Sequence, residues 1–184
     1  MCIRDRLLVG LGKKEKFKSS MARSVSAIAA KHLRSKGISS FSILQMGKFS
    51  RETAEGVILG LYTFDELKEK STDNNEIKNV TFIGDGDFNT GIIISEAQVI
   101  ARRLTELPAN IATPTYVSEE IQKIFKSMEN TDIKIHEEKW ALDRNMNSFL
   151  SVAAGSDQPA KFAEIKYYGT DKSCLLYTSP SPRD

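Results

Sequence analysis

The sequence predicts an α/β protein. Short apolar stretches suited to strands alternate with longer runs at helical spacing, and glycines and prolines punctuate the joins between them. The composition agrees, since 40% hydrophobic and 27% charged residues are ordinary for a globular chain of 184 residues, which allows one or two domains. A net charge of +2 is too small to argue for a dominant nucleic-acid or membrane surface. No apolar run approaches the roughly 18 residues that a membrane helix needs. The first residues lack the apolar core and cleavage site of a secretory signal.

In chain order, residues 7–11 (L-L-V-G-L) read as a short buried strand entering a glycine turn at Gly12. The charge run 13–18 reads as a solvated loop. Ser19 or Ser20 can cap a helix through Ser35, with Ala22, Val25, Ala29 and Leu33 on one face and Gly37 as its stop. Residues 41–46 suit a strand with both faces at least partly covered. Ser50 caps a second helix carrying Ala54, Val57, Ile58 and Leu61. In it, Gly56 and Gly60 form a G-x-x-x-G pair, too short a context for a membrane dimer and read here as close helix-on-sheet packing. A polar loop at 71–76 leads to a strand at 80–84 and a turn at 85–90. A long helix, 91–107, then carries an apolar stripe of Ile93, Ala97, Ile100, Leu104 and Leu107.

The stretch 101–115 (A-R-R-L-T-E-L-P-A-N-I-A-T-P-T) organises the rest. Arg102 and Arg103 suit the negative pole of a helix end, and Pro108 cannot continue that helix. Thr113-Pro114 is an N-cap followed by proline at the first helical position. The new helix runs to 128 with Val117, Ile121, Ile124, Phe125 and Met128 inward. A strand containing Ile133 and Ile135, a short helix at 138–146 holding Trp140, and a strand at 161–168 complete the body.

Chemistry-bearing patterns come close and stop short. Asp85, Asp87, Asn89 and Glu96 fall at positions one, three, five and twelve of a calcium loop, but position six is Thr90, Gly91 comes one place late, and a strand precedes it where a helix is required. The segment is read as a turn and helix cap. His136-Glu137 begins like a zincin helix without the second histidine and sits on a strand; His32 stands alone on a helix. Both histidines are read as surface or half-buried. The sequon Asn79-Val80-Thr81 is read as unused in a chain without a secretion signal. Cys2 and Cys174 have no neighbour at metal-ligand spacing, which fits a reducing compartment.

Four segments resemble one family. The elbow A-R-x-L-x-E-x-P-A-N-x-x-T-P-T is similar to the junction between the two domains of the leucine aminopeptidase (cytosol aminopeptidase) family. L-L-V-G-L-G-K-K at 7–14, A-E-G-V-I-L-G-L-Y-T-F-D-E-L-K at 54–68 and S-F-L-S-V-A-A-G-S-D-Q-P at 148–159 agree with it in the same order. The resemblance implies a macrodomain-like N-terminal α/β domain at 7–88, a linker helix at 89–108, and the start of an α/β metallopeptidase domain at 109–173. It further implies a cytoplasmic parent enzyme that removes N-terminal residues, often leucine, from peptides. That parent is expected to use two divalent metal ions (Mn or Zn) and to form a homohexamer, without membrane or nucleic-acid partners.

In such a family the metal ligands lie beyond the strand at 162–168, so no catalytic, metal-binding or substrate-binding residue is assigned in this chain. Asn147 stands where many relatives carry glycine, and Leu107 where some carry threonine; no metal site is assigned there. Residues 1–6 and 174–184 resemble sequencing-adapter read-through and are expected not to belong to the fold. Two other readings compete. One is a macrodomain-like module binding a nucleotide-derived ligand, although Gly10, Gly12, Gly84 and Gly86 form no clear phosphate cradle. The other is DNA binding, as some bacterial relatives of this kind show.

Overall fold

The computed structural model describes residues 6–68 and 75–169. Those residues fall into two compact units that divide between Glu106 and Leu107. The expectations for 1–5, 71–74 and 170–184 lie outside the described residues.

The first unit contains a 3-10 turn at Lys14–Lys16, then α1 (Ser19–Ser35), β1 (Ser40–Leu44), α2 (Ser50–Leu61), β2 (Asn79–Ile83) and α3 (Phe88–Glu106). β1 and β2 pair in parallel, with Phe41 opposite Val80 and Ile43 opposite Phe82. A parallel pair needs a crossover, and α2 lies within it. The side chains of Phe41, Ile43, Val80 and Phe82 share one sheet face. Ile43 joins Ala30 of α1 and Val57 of α2 in the core, with Phe41, Met46, Leu61, Val80 and Phe82 packed around them. The opposite face is open, contrary to the two-sided cover expected for β1: Leu44 and Ile83 face each other in register and are 69% and 46% exposed.

α2 is the central helix, packed against α1 on one side and α3 on another. Small residues make this possible. Ala22, Ser26, Ala29 and Ala30 are buried on α1, Ala54, Gly56 and Gly60 on α2, and Gly91 and Ser95 on α3. A Cβ on Gly56 would sit 2.2 Å from the Arg23 carbonyl oxygen, and one on Gly60 would sit 2.8 Å from Ala27 Cα. The G-x-x-x-G pair therefore faces α1 and not the sheet, which corrects the expectation. The buried hydroxyls are silenced locally: Ser26 donates to the Ala22 carbonyl at 2.6 Å, Thr53 to Phe49 at 2.7 Å, and Ser95 to Gly91 at 2.7 Å. Each proton is thus bonded within or at the start of its own helix, and Thr53 Oγ1 also accepts from the Met46 amide at 3.4 Å.

Other expectations are corrected here. Residues 7–11 form no strand, because β1 and β2 pair only with each other and leave this segment without a ladder; Leu8 is 92% exposed. Gly12 does adopt the left-handed φ of +75° that its turn requires. Neither Ser19, Ser20 nor Ser50 caps by its side chain; Lys18 and Phe49 are the N-cap residues. The apolar stripe expected for α3 is covered only in part: Ile100 and Leu104 are half-buried and Leu107, just past the helix end, is 7% exposed, while Ile93 is 57% exposed and Ala97 is also exposed. Towards α2 the packed residues are the small Gly91 and Ser95, and a Cβ on Gly91 would meet the Arg51 carbonyl oxygen at 2.4 Å.

The second unit opens with the elbow. The Pro108 carbonyl accepts from the amides of Ile111 and Ala112, both at 2.9 Å, and Thr113 Oγ1 accepts from the Tyr116 amide at 3.3 Å, capping α4 (Pro114–Lys126) with proline in the first turn. β3 (Thr131–Glu137) then pairs antiparallel with β4 (Lys161–Tyr167), setting Ile133 against Ile165 and Ile135 against Ala163. α4 packs on both strands with Val117, Ile121, Ile124 and Phe125 half-buried, but Met128 lies past its end and is 47% exposed, not inward. The helix expected at 138–146 stops early, as α5 (Glu138–Leu142), and a further helix that was not expected, α6 (Asn147–Ala153), follows a turn at Asn145, whose φ is +53°.

Candidate functional site

Three places gather polar groups. The first lies at the C-terminal ends of the parallel strands β1 and β2, where ligands of open α/β sheets usually sit. Gly84 and Gly86 follow β2, and Gln45 follows β1. Gln45 Oε1 accepts from the Gly86 amide at 3.1 Å. A Cβ on Gly86 would lie 2.3 Å from Ser50 Oγ, and one on Gly84 would lie 2.7 Å from Gln45 Cβ. Protein side chains fill the space a phosphate would need, so these glycines serve packing. The neighbouring Asp87, suspected in the calcium pattern, instead accepts the Thr90 amide at 3.0 Å and serves the first turn of α3. Its carboxyl is held below the ordinary value by hydrogen bonds from Thr90.

The second is Glu55 on α2, whose side chain is 2% exposed. Oε2 accepts from Arg23 Nε of α1 at 2.7 Å, and Oε1 from Arg51 Nε one turn earlier on α2 at 2.8 Å. Burial pushes this carboxyl up, but the hydrogen bonds and charges of Arg51 and Arg23 outweigh burial and hold it below its ordinary value. Both of its oxygens are engaged by arginines, so Glu55 ties α1 to α2.

The third surrounds His136. The antiparallel register puts Phe162 opposite His136 and places Glu164 two residues on, on the same face. His136 Nε2 is 2.8 Å from Glu164 Oε2, and the imidazole stacks on Trp140 of α5 with ring centroids 4.0 Å apart. Phe162 stacks on Trp140 at 5.1 Å, Phe149 of α6 meets Phe162 edge-on at 5.9 Å, and the Arg144 guanidinium lies 4.1 Å over the Trp140 ring. The His136 hydrogen bond and then the Lys166 ammonium, 3.0 Å away, lower the Glu164 carboxyl to about 2. An imidazole–carboxylate pair can hold or relay a proton, yet the adjoining hollow, lined by Asp132, Lys134, Glu164 and Lys166, is only about 40 Å³. That is room for one or two waters and no substrate. The pair therefore fastens β4 to β3, whose His136 ring also stacks on Trp140 of α5. His136 is half-buried, as its place on a strand suggests, while His32 is exposed. Nothing in the sequence pointed to Glu164, since only the strand register joins the two residues.

A two-metal hydrolase needs several carboxylates converging on two cations. Among the described residues no group of three or more His, Cys, Asp or Glu side chains is placed to hold a metal, so the residues present do not fit such a centre. Among them, too, no helix is long and apolar enough to cross a membrane.

Two family profiles match the chain in order. The N-terminal domain of the Cytosol aminopeptidase family matches residues 3–71, and the catalytic domain of the same family matches residues 99–176. Cytosol aminopeptidase of Homo sapiens is 37% identical over 177 aligned positions, covering 89% of this chain and 33% of that protein. The Sus scrofa enzyme is 36% identical over the same extent, and a probable cytosol aminopeptidase of Aquifex aeolicus is 35% identical over 175 positions, covering 90% of this chain and 35% of that protein. Among solved structures, the bottromycin maturation enzyme BotP in complex with Mn superposes with a TM-score of 0.73 at 20% identity, over 85% of this chain and 35% of that one. A tomato leucine aminopeptidase mutant gives 0.66 at 21%, over 79% and 32%. The likeness to these two shows the fold. The chain spans about a third of the length of the curated relatives it matches.

Proposed function

We propose, from the premise that this chain belongs to the cytosol aminopeptidase family, that it is the N-terminal portion of a metal-dependent leucyl aminopeptidase. The observation that carries this reading is the order of the two profiles, N-terminal domain and then catalytic domain, on a chain a third as long as its relatives. Within it, 7–88 is the N-terminal domain, 89–108 the linking helix, and 109–173 the opening of the peptidase domain. The parent enzyme hydrolyses N-terminal residues, often leucine, from peptides in the cytoplasm, as a homohexamer.

Two divalent ions, Mn or Zn, supply the parent with a Lewis acid and an activated water. The Mn reported with BotP supports a metal of this kind. The described residues of this chain offer no ligand set for them, so no step of the reaction is assigned here. What these residues do is structural: the elbow launches the peptidase domain, and β3, β4 and the aromatic layer around His136 begin it.

Two assays test the reading. The 184-residue chain alone, given manganese or zinc, is expected to leave a leucine amide intact; metal-dependent turnover would overturn its assignment as a portion without the centre. A chimera carrying residues 7–169 in place of the corresponding part of human cytosol aminopeptidase is expected to hydrolyse the same amide. A folded chimera that binds metal yet turns nothing over would count against the function.

A further inference from the structure

The turn between β2 and α3 holds a reactive pair. Asp85-Gly86 is the single Asp-Gly in the sequence, and Asn-Gly does not occur. Glycine puts no side chain in the way of an attack by its own nitrogen on the carboxyl before it. Asp85 is exposed, so water reaches it, while Gly86 is half-buried and held at three points. Its amide donates to Gln45 Oε1 at 3.1 Å, its carbonyl accepts from the Phe88 amide at 3.0 Å, and its Cα lies so near Ser50 that a Cβ there would collide with Oγ. Gln45 is itself fixed. Its backbone amide donates to the Ile83 carbonyl at 2.8 Å, and Nε2 donates to the Gly47 carbonyl at 2.5 Å, which leaves Oε1 turned to Gly86.

We propose that Asp85 is a site of spontaneous isomerisation to isoaspartate, and that Gln45 restrains the reaction by holding the Gly86 amide. The Gly86 nitrogen bonds to the side-chain carboxyl carbon of Asp85. The C–OH bond of that carboxyl breaks, and the hydroxyl and the amide proton leave together as water. Water then opens the five-membered succinimide. Opening at the main-chain carbonyl routes the chain through the side-chain carboxyl and yields isoaspartate of unchanged mass, with no co-reactant but water. To reach the carboxyl carbon, the Gly86 nitrogen must turn with its rigid peptide plane and give up its proton, and both break the bond to Gln45. The product carries one more main-chain carbon, about 1.5 Å of extra chain. That carbon enters just before Asp87, whose carboxylate serves the first turn of α3 by accepting the Thr90 amide at 3.0 Å. Isomerised copies of the chain are thus chemically marked and less well fastened at this turn.

Prolonged incubation of the full chain at neutral pH, followed by tryptic mapping, tests this. Isoaspartate is scored as a peptide of equal mass and altered retention, and by uptake of a labelled methyl group from an isoaspartyl methyltransferase. Folded wild type is expected to accumulate it slowly at residue 85. Gln45→Met keeps the length of the side chain beside Gly84 but lacks the amide acceptor, and should accelerate the reaction about fivefold, the worth of one ordinary hydrogen bond. In urea both chains should isomerise fast and at one rate. Asp85→Asn runs the same reaction with ammonia as leaving group, so a gain of about one mass unit reports it. With Gln45 native, this variant should react at least about fivefold more slowly folded than in urea. Circular dichroism checks folding, and if Gln45→Met does not fold, the Asp85→Asn comparison decides alone. Equal rates in folded wild type and folded Gln45→Met overturn the proposal. So does isoaspartate that arises elsewhere and not at residue 85, or Asp85→Asn that reacts as fast folded as in urea.

Discussion

Substituting Gly56 by alanine tests the packing of the first unit most directly. Two effects oppose each other. In a helix interior alanine is better than glycine by about 1 kcal/mol, because glycine gives up more backbone freedom on folding. Against this, the new Cβ would lie 2.2 Å from the Arg23 carbonyl oxygen and 2.8 Å from Ser26 Cβ. Ordinary contact begins near 3.4 Å, so α1 and α2 must part by about an ångström along the interface that buries Ala22, Ser26, Ala54 and Gly60. Overpacking of this order costs about 1–3 kcal/mol, and a backbone carbonyl has no rotamer by which to escape, so the upper end applies. The expected net effect of Gly56→Ala is a loss of about 2 kcal/mol, or several degrees in Tm. Gly60→Ala, which meets Ala27 Cα at 2.8 Å, should behave similarly, and the double variant should cost less than the sum, since one separation relieves both clashes. Gly155, with nothing within 4 Å of its notional Cβ, is the control and should change stability by no more than about 0.5 kcal/mol on substitution by alanine. Urea and thermal unfolding followed by far-ultraviolet circular dichroism give the numbers. A Gly56→Ala chain as stable as wild type would refute the close α1–α2 contact.

Glu55→Gln should destabilise the first unit by about 1–3 kcal/mol in the same urea assay, below the full cost of breaking a buried ion pair, because Arg23 and Arg51 are 42% and 51% exposed and can turn to water. A change within error would mean that the clamp holds nothing. Acid should loosen the second unit through Glu164. Its folded value of about 2 lies below the ordinary 4.5, so its contribution is present above pH 4.5 and is lost as pH falls towards 2. Trp140, the sole tryptophan, stacks on His136 and should report that loss by fluorescence; the same acid transition in Glu164→Gln would show that another group causes it.

The elbow was legible in the sequence because each of its signals is local. A proline that cannot continue a helix, and a threonine that can cap the next, act within four residues of themselves, and α4 starts at Pro114. The strands were legible by alternation: the expected 161–168 is β4 at Lys161–Tyr167. Hydrophobic periodicity found the half-buried Ile100 and Leu104 of α3 but missed the fully buried positions of its first half, Gly91 and Ser95, residues that carry almost no hydrophobic signal and matter by being small. The same blindness assigned Gly56 and Gly60 to the wrong neighbour, since a glycine pair announces a close approach without naming what approaches. Residues 7–11 have a strand's composition, yet a strand exists only where another offers its ladder. The His136–Glu164 pair depends on register between segments 28 positions apart, which no local pattern encodes.

The uses to which this chain puts its acids explain how it can belong to an aminopeptidase family and show no metal cluster among its described residues. Glu55 is held by Arg23 and Arg51, Glu66 by Arg103, Glu106 by the Tyr62 hydroxyl, Glu137 by Lys161, and Glu164 by His136 and Lys166. Tyr62 shows how fully such a pair is committed, for desolvation and then the Glu106 hydrogen bond raise its phenol to about 12. Each acid sits against its own donor, and these pairs are spread over helices and strands. Carboxylates serving two cations must instead crowd together, with the metals in place of the arginines and lysines. Gathering them would require these residues to abandon the ties that join α1 to α2, hold the first-unit helices and join β3 to β4. These five glutamates therefore serve as support. The proposed enzyme must draw its metal ligands from segments other than these, which is why the chimera, and not the chain alone, is expected to turn over a leucine amide.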